Sequence, residues 1–187
     1  MNKVLLLSLR KSLVIAAVST VFTACADEAP LAPSQQSAIS AQGATLATVE
    51  ENTALATLRR VTARYHDIDT AFADGFVLLH ECENRPDEGP VGAVYVHVGR
   101  LMDGLIDPET PDALIYEPGR DGKMTLVGAE FAVPYPLWTS QTPPQFMGAT
   151  FQPEDEFGVF ALHAWIWREN PEGMYAETNP RVSCGEA

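Results

Sequence analysis

Basic residues are scarce in this chain. Its 187 residues include 12 Lys+Arg against 25 Asp+Glu, a formal charge of −13, and affinity for nucleic acid rests largely on Lys and Arg neutralising phosphates. DNA and RNA are therefore excluded as partners. The usual signatures of catalysis are also missing. There is no Gly-rich phosphate loop, no G-x-S-x-G elbow and no C-x-x-C, and His80-Glu81-Cys82-Glu83-Asn84 lacks the second His of a zinc-binding H-E-x-x-H. No continuously apolar run approaches the roughly 20 residues of a membrane span, and cysteines number only three. What is present is an ordinary share of core-forming residues, 46% hydrophobic and 9% aromatic. That is too much for a disordered chain and enough for one domain with some length to spare.

The spare length begins at the N-terminus. Lys3, Arg10 and Lys11 precede an uncharged run from Ser12 to Ala24, and the first acid is Asp27. This reads as a secretory signal peptide over residues 1–24. Phe22-Thr23-Ala24-Cys25 resembles the lipobox of bacterial lipoproteins, with Phe22 where that family has Leu or another aliphatic residue. The resemblance implies lipidation of Cys25 and a domain exported to the outside of a bacterial membrane. Ala24-Cys25-Ala26 also fits the A-x-A pattern of ordinary secretion, which would remove Cys25. Either cleavage takes three of the 12 basic residues, leaving 9 against 25 and a charge of −16. Anionic bilayer surfaces should repel such a chain, so the lipid is the expected link to the membrane. Both routes leave Cys82 and Cys184 as a pair in an oxidising compartment, which predicts a structural disulfide.

Residues 25–47 contain Pro, Ser, Gln, Ala and Gly with no apolar period and read as a disordered tether. A single α+β domain is expected over 48–187. Thr48-Val49-Glu50-Glu51 has the form of a capping box, and Leu55, Leu58, Val61, Tyr65, Ile68 and Phe72 follow at helical spacing. This predicts one N-terminal amphipathic helix with a break near His66-Asp67 and a stop at Asp74-Gly75. Beyond it the punctuation is that of β structure. Strands are expected over 76–79, 91–98, 113–117, 123–133 and 158–168, with a hairpin turn at Pro118-Gly119-Arg120-Asp121-Gly122. The proline-rich stretch 134–153, with an exposed-looking Trp138, should not be regular sheet. The predicted architecture is the helix packed on an antiparallel curved sheet or small β-barrel.

Four ionisable side chains lie inside apolar strands, where a charge is costly unless paired or metal-bound: His97, Glu117, Glu130 and His163. Strand alternation places each on a face of apolar neighbours. If those faces share one interior, two imidazoles and two carboxylates form an N₂O₂ set for a divalent transition metal such as Mn, Fe or Zn. Trp165, Trp167 and Tyr95 are the aromatic candidates for a ligand pocket beside it. The plainer assignments are a hydrogen-bonded core histidine at His163, solvent exposure for Glu117, and an Arg partner for Glu130. His80 and His66 are weaker candidates, the latter as a capping residue.

The segment Leu162-His163-Ala164-Trp165-Ile166-Trp167-Arg168-Glu169-Asn170-Pro171-Glu172-Gly173-Met174, with Asn179-Pro180-Arg181-Val182-Ser183-Cys184, resembles the ending of a family of uncharacterised exported bacterial proteins. The resemblance extends back to residue 55. Members of that family carry a His before the Tyr of the first strand, where this chain has Val94. The family has no assigned activity, so the resemblance supports the domain limits, the Cys82–Cys184 pair and the interest of His163. Three functions remain in view: small-ligand or metal binding in a sheet pocket, metal-dependent catalysis, and an envelope protein-interaction module presenting Trp138.

Overall fold

The computed structural model describes residues 33–85 and 89–185, with side chains from residue 48 onward. The leader, the lipobox Cys25 and the start of the tether lie outside the described residues. Helix α1 runs Pro33–Thr62, a 3-10 turn covers Ala63–His66, and α2 covers Ile68–Ala73. Residues 33–47, expected as tether, are thus helical, in keeping with the helix propensity of their Ala and Gln content. The break near His66-Asp67 falls as predicted. Asp67 caps α2 by accepting from the Asp69 N–H at 3.2 Å. Gly75, at φ 96°, ends that helix: its N–H reaches the Phe72 carbonyl while the Phe76 N–H reaches Ala71, the paired bonds of a Schellman motif. No helix among the described residues is long and apolar enough to cross a membrane.

Ten strands follow among the described residues: β1 (Val77–His80), β2 (Asn84–Arg85), β3 (Gly89–Pro90), β4 (Ala93–Val96), β5 (Ala113–Pro118), β6 (Met124–Pro134), β7 (Gln145–Phe146), β8 (Ala149–Thr150), β9 (Gln152–Glu154) and β10 (Val159–Ala164). A one-turn helix, α3 (Val98–Leu101), separates β4 from β5. Six strands form one antiparallel sheet in the order β1-β4-β5-β6-β10-β9, while β2–β3 and β7–β8 are small hairpins. The proline-rich stretch therefore holds the β7–β8 hairpin and most of β9. The hairpin at 118–122 joins β5 to β6, with Gly122 at φ 77°.

The small barrel does not close. β1 and β9 are the two ends of the strand order and do not pair; Pro153 has no N–H to offer an additional strand. The sheet is nevertheless strongly curled. Five strand spacings of about 4.8 Å would put the edges of a flat sheet roughly 24 Å apart. Yet His80 of β1 stacks on Phe157 next to β10 at 6.0 Å between ring centroids, and Arg85 pairs with Glu154 of β9 at 3.4 Å.

Each face of the sheet has its own core. The helix-side face presents Tyr95, Leu114, Tyr116, Phe131 and Leu162 to Leu58, Tyr65 and Phe76. The Tyr116 hydroxyl fixes the helical unit by donating to the Tyr65 carbonyl at 2.7 Å. The opposite, concave face carries Val94, Val96, Ile115 and Val127, covered by Trp165 and Val182 of the C-terminal segment. The predicted disulfide is present between Cys82 and Cys184, with Cα atoms 5.1 Å apart.

Candidate functional site

The concave face holds a cavity of about 140 Å³. Its polar lining comes from six side chains: His80, Arg85, Asp112, Glu130, Glu154 and His163. Leu79, Val96, Leu101, Phe157 and Val159 supply most of the apolar wall. The two sheet edges meet over it through the His80–Phe157 stack and the Arg85–Glu154 pair, so curling of an open sheet creates the enclosure.

Register and alternation explain why Glu130 and His163 meet. They are directly opposed on β6 and β10, hence on the same face. Glu130 Oε2 lies 3.5 Å from His163 Nε2, and both side chains are nearly buried. The other ring nitrogen, Nδ1, is 2.6 Å from the Glu177 carbonyl, which orients the imidazole as an Nδ1–H donor. Burial lowers the His163 pKa, but the hydrogen bond and charge of Glu130, with the Glu177 carbonyl and Glu154, outweigh it and raise the value above the ordinary one.

Asp112 is the most buried ionisable side chain of the site, 1% exposed. It lies just before β5, where its N–H donates to the Glu130 carbonyl at 3.0 Å and its own carbonyl accepts from the His97 N–H at 2.8 Å. Its Oδ2 accepts from the Ala132 N–H at 2.9 Å. Burial pushes the carboxyl up to about 7, as do the charges of Glu130 and Asp103, against the pull of the Ala132 N–H and Arg100. The cavity thus contains a carboxyl that exchanges its proton near neutrality beside an imidazole–carboxylate pair. Such a set can hold a polar or charged ligand group, or donate and accept protons.

The four residues expected to share a metal are divided by the fold. Glu130 and His163 come together as expected. Glu117 is on the same face but at the other end of β5, opposite Thr125, whereas Glu130 is opposite Ala113. It pairs there with Arg168 and accepts from the Ser183 N–H. His97 is on the helix side, the face that alternation gives it with Ala93 and Tyr95, and that face is opposite to the one carrying Glu130 and His163. Its Nδ1 caps α3 by accepting from the Arg100 N–H at 3.2 Å, and its ring packs edge-on against Phe76. Among the described residues no three His, Cys, Asp or Glu side chains are grouped to hold a metal ion.

None of the three aromatic candidates lines the cavity, although Trp165 packs edge-on against His163 at 5.9 Å between ring centroids. Tyr95 packs on the helix side between Phe72 and Tyr116. The chain leaves β10 after Ala164, so alternation no longer governs Trp165 and Trp167. Trp165 fills the concave core and donates to the Ala176 carbonyl, while Trp167 crosses to the helix side and donates to the Thr62 hydroxyl. Trp138 is half-buried against the helix-side core with its ring N–H on the Thr142 carbonyl. Asp112, Arg85 and Glu154 are the site residues that the sequence reading missed. The one local hint is an acid between Pro111 and the wholly apolar run Ala113-Leu114-Ile115.

No protein-family model, no curated protein and no solved structure matches this chain.

Proposed function

We propose that the chain is an exported, lipid-anchored domain that binds a small molecule in the cavity on the concave face of its sheet. One observation carries the reading: buried Asp112, Glu130 and His163 line a space of about 140 Å³ whose remaining wall is largely apolar. Few, convergent polar groups in an apolar enclosure are the usual make-up of a ligand pocket. Burying an ionisable carboxyl disfavours its charged form, so the arrangement costs stability that a ligand contact would offset. Export and anchoring at Cys25 follow from the leader. Detergent partitioning of the mature protein is the check, and a form that stays wholly in the aqueous phase contradicts the anchor.

The binding itself is tested by filling the space. Ala132 lines the cavity and is 5% exposed, so Ala132→Phe places a ring inside it. The native protein should gain thermal stability with small ligands at saturating concentration, by RT ln(1 + [L]/Kd), about 2.7 kcal/mol at a hundredfold excess over Kd. Ala132→Phe should fold and lose that gain. An equal gain in the variant would place binding elsewhere.

A further inference from the structure

Resting on that reading, we infer that the ligand is a small organic cation, a monoamine with a compact apolar body, whose ammonium is taken by the carboxylates of Asp112 and Glu130. Three carboxylates line the cavity, those of Asp112, Glu130 and Glu154, against one guanidinium, that of Arg85. The guanidinium is already engaged, lying 3.4 Å from Glu154 and 3.7 Å from Glu83. The His163 ring is occupied at both nitrogens, by Glu130 and by the Glu177 carbonyl. His80 commits its Nδ1 to the Glu81 carbonyl at 2.9 Å. The positive groups of the lining therefore have partners within the protein, and in pairing they account for two of the acids, Glu154 with Arg85 and Glu130 with His163. Asp112, 1% exposed, is left with the Ala132 N–H and no basic partner in the lining. An anion would enter against that carboxyl, and a cation would supply the missing partner.

Size and lining choose the kind of cation. The metal-binding alternative needs at least three grouped ligands, which the described residues do not provide. A cavity of about 150 Å³ accommodates about six carbon atoms, as benzene does in an engineered apolar cavity. Val96, Leu101 and Val159 offer apolar surface to such a body.

The amine also predicts its own proton balance. Asp112 faces Glu130 on β6, the Ala132 N–H, Asp103, and Arg100 of α3. Its carboxyl is part-protonated near neutral pH, so an entering ammonium should expel a fraction of a proton and bind more weakly as the pH falls through 7.

Calorimetric titration with three probes of one shape, cyclopentylamine, cyclopentanol and cyclopentanecarboxylate, separates the outcomes. At about pH 7.5 the amine should bind roughly tenfold or more tighter than the alcohol, the gain expected of a hydrogen bond to a buried charge, and the carboxylate should not bind. Amine affinity should fall about tenfold by about pH 6 while alcohol affinity holds within about twofold. Glu130→Gln, checked for folding by its retained alcohol binding, should remove most of the amine's advantage. Equal affinity for amine and alcohol, or preference for the carboxylate, overturns the amine assignment and leaves the cavity as a ligand site. Failure of all three probes to bind overturns the ligand site together with the amine.

Discussion

Replacing Cys82 and Cys184 together by Ser is expected to lower the unfolding free energy by roughly 4–5 kcal/mol, since the bridge closes a loop of about 100 residues in the unfolded chain. The two positions are 102 apart in sequence. The native consequence should be local. The C-terminal segment contributes Trp165 and Val182 to the concave core and is held further by Ser183 and Arg168 on Glu117. With the bridge gone, those contacts and the hydrogen bonds of the 176–179 backbone to Trp165, His163 and Pro90 are left to hold the segment. Urea titration of native and double-Ser proteins measures the difference, and hydrogen exchange should show residues 176–185 opening first. A loss under about 1 kcal/mol would mean that the C-terminal segment docks without the bridge.

Asp112→Asn should stabilise the protein above neutral pH, the reverse of the usual effect of changing a buried residue. The carboxyl titrates at about 7 in the folded chain against 3.8 unfolded. Between those values the folded state binds more protons, so stability is full below about pH 4 and is lost as the pH rises through 7. At about 1.36 kcal/mol per pH unit the loss is on the order of 4 kcal/mol by about pH 8. The amide introduced by Asp112→Asn would keep an acceptor for the Ala132 N–H and would not ionise, so most of that loss should be recovered at about pH 8 and almost none at about pH 4. His163 works in the same direction: its raised pKa contributes stability below the unfolded value that disappears as the pH climbs through the folded one. The native protein should therefore be more stable at about pH 6 than at about pH 8, and the variant should retain only the His163 part of that slope. Destabilisation by Asp112→Asn at the higher pH would contradict the assignment of a neutral-range carboxyl. The same substitution should weaken amine binding, a trade of binding against stability familiar at functional sites.

The parts of this molecule that follow local rules are readable in its sequence. The helix break at Asp67, the stop at Gly75 and the Asp-Gly hairpin each depend on residue types within a short window, and the disulfide on the two cysteines left once the predicted leader and Cys25 are set aside. Glu130 and His163 are readable too, because alternation along two unbroken strands puts both on one face. Alternation holds for His97 too, which shares the helix-side face of Tyr95; what the sequence hides is that this face lies opposite to that of His163. It fails where a strand ends early. It places Trp167 on the His163 face, but the chain turns away after Ala164. Asp112 is hidden for a different reason. The apolar run that follows Asp112 is the one local hint of its burial, which arises only when β6 is paired alongside and the Ala132 N–H donates to the side chain. Closure of the cavity depends on more distant contacts still, between two edges of the sheet that share no backbone hydrogen bonds.

The most direct test of the ligand site is a methyl NMR titration of the folded domain with cyclopentylamine. If the concave cavity is the binding site, the methyls of Leu79, Val96, Leu101 and Val159 should shift together with one dissociation constant. Those of Leu58, Leu114 and Leu162, in the core on the helix side, should stay in place. Shifts confined to the helix-side core or to the segment around Trp138, with the four cavity methyls unmoved, would contradict it.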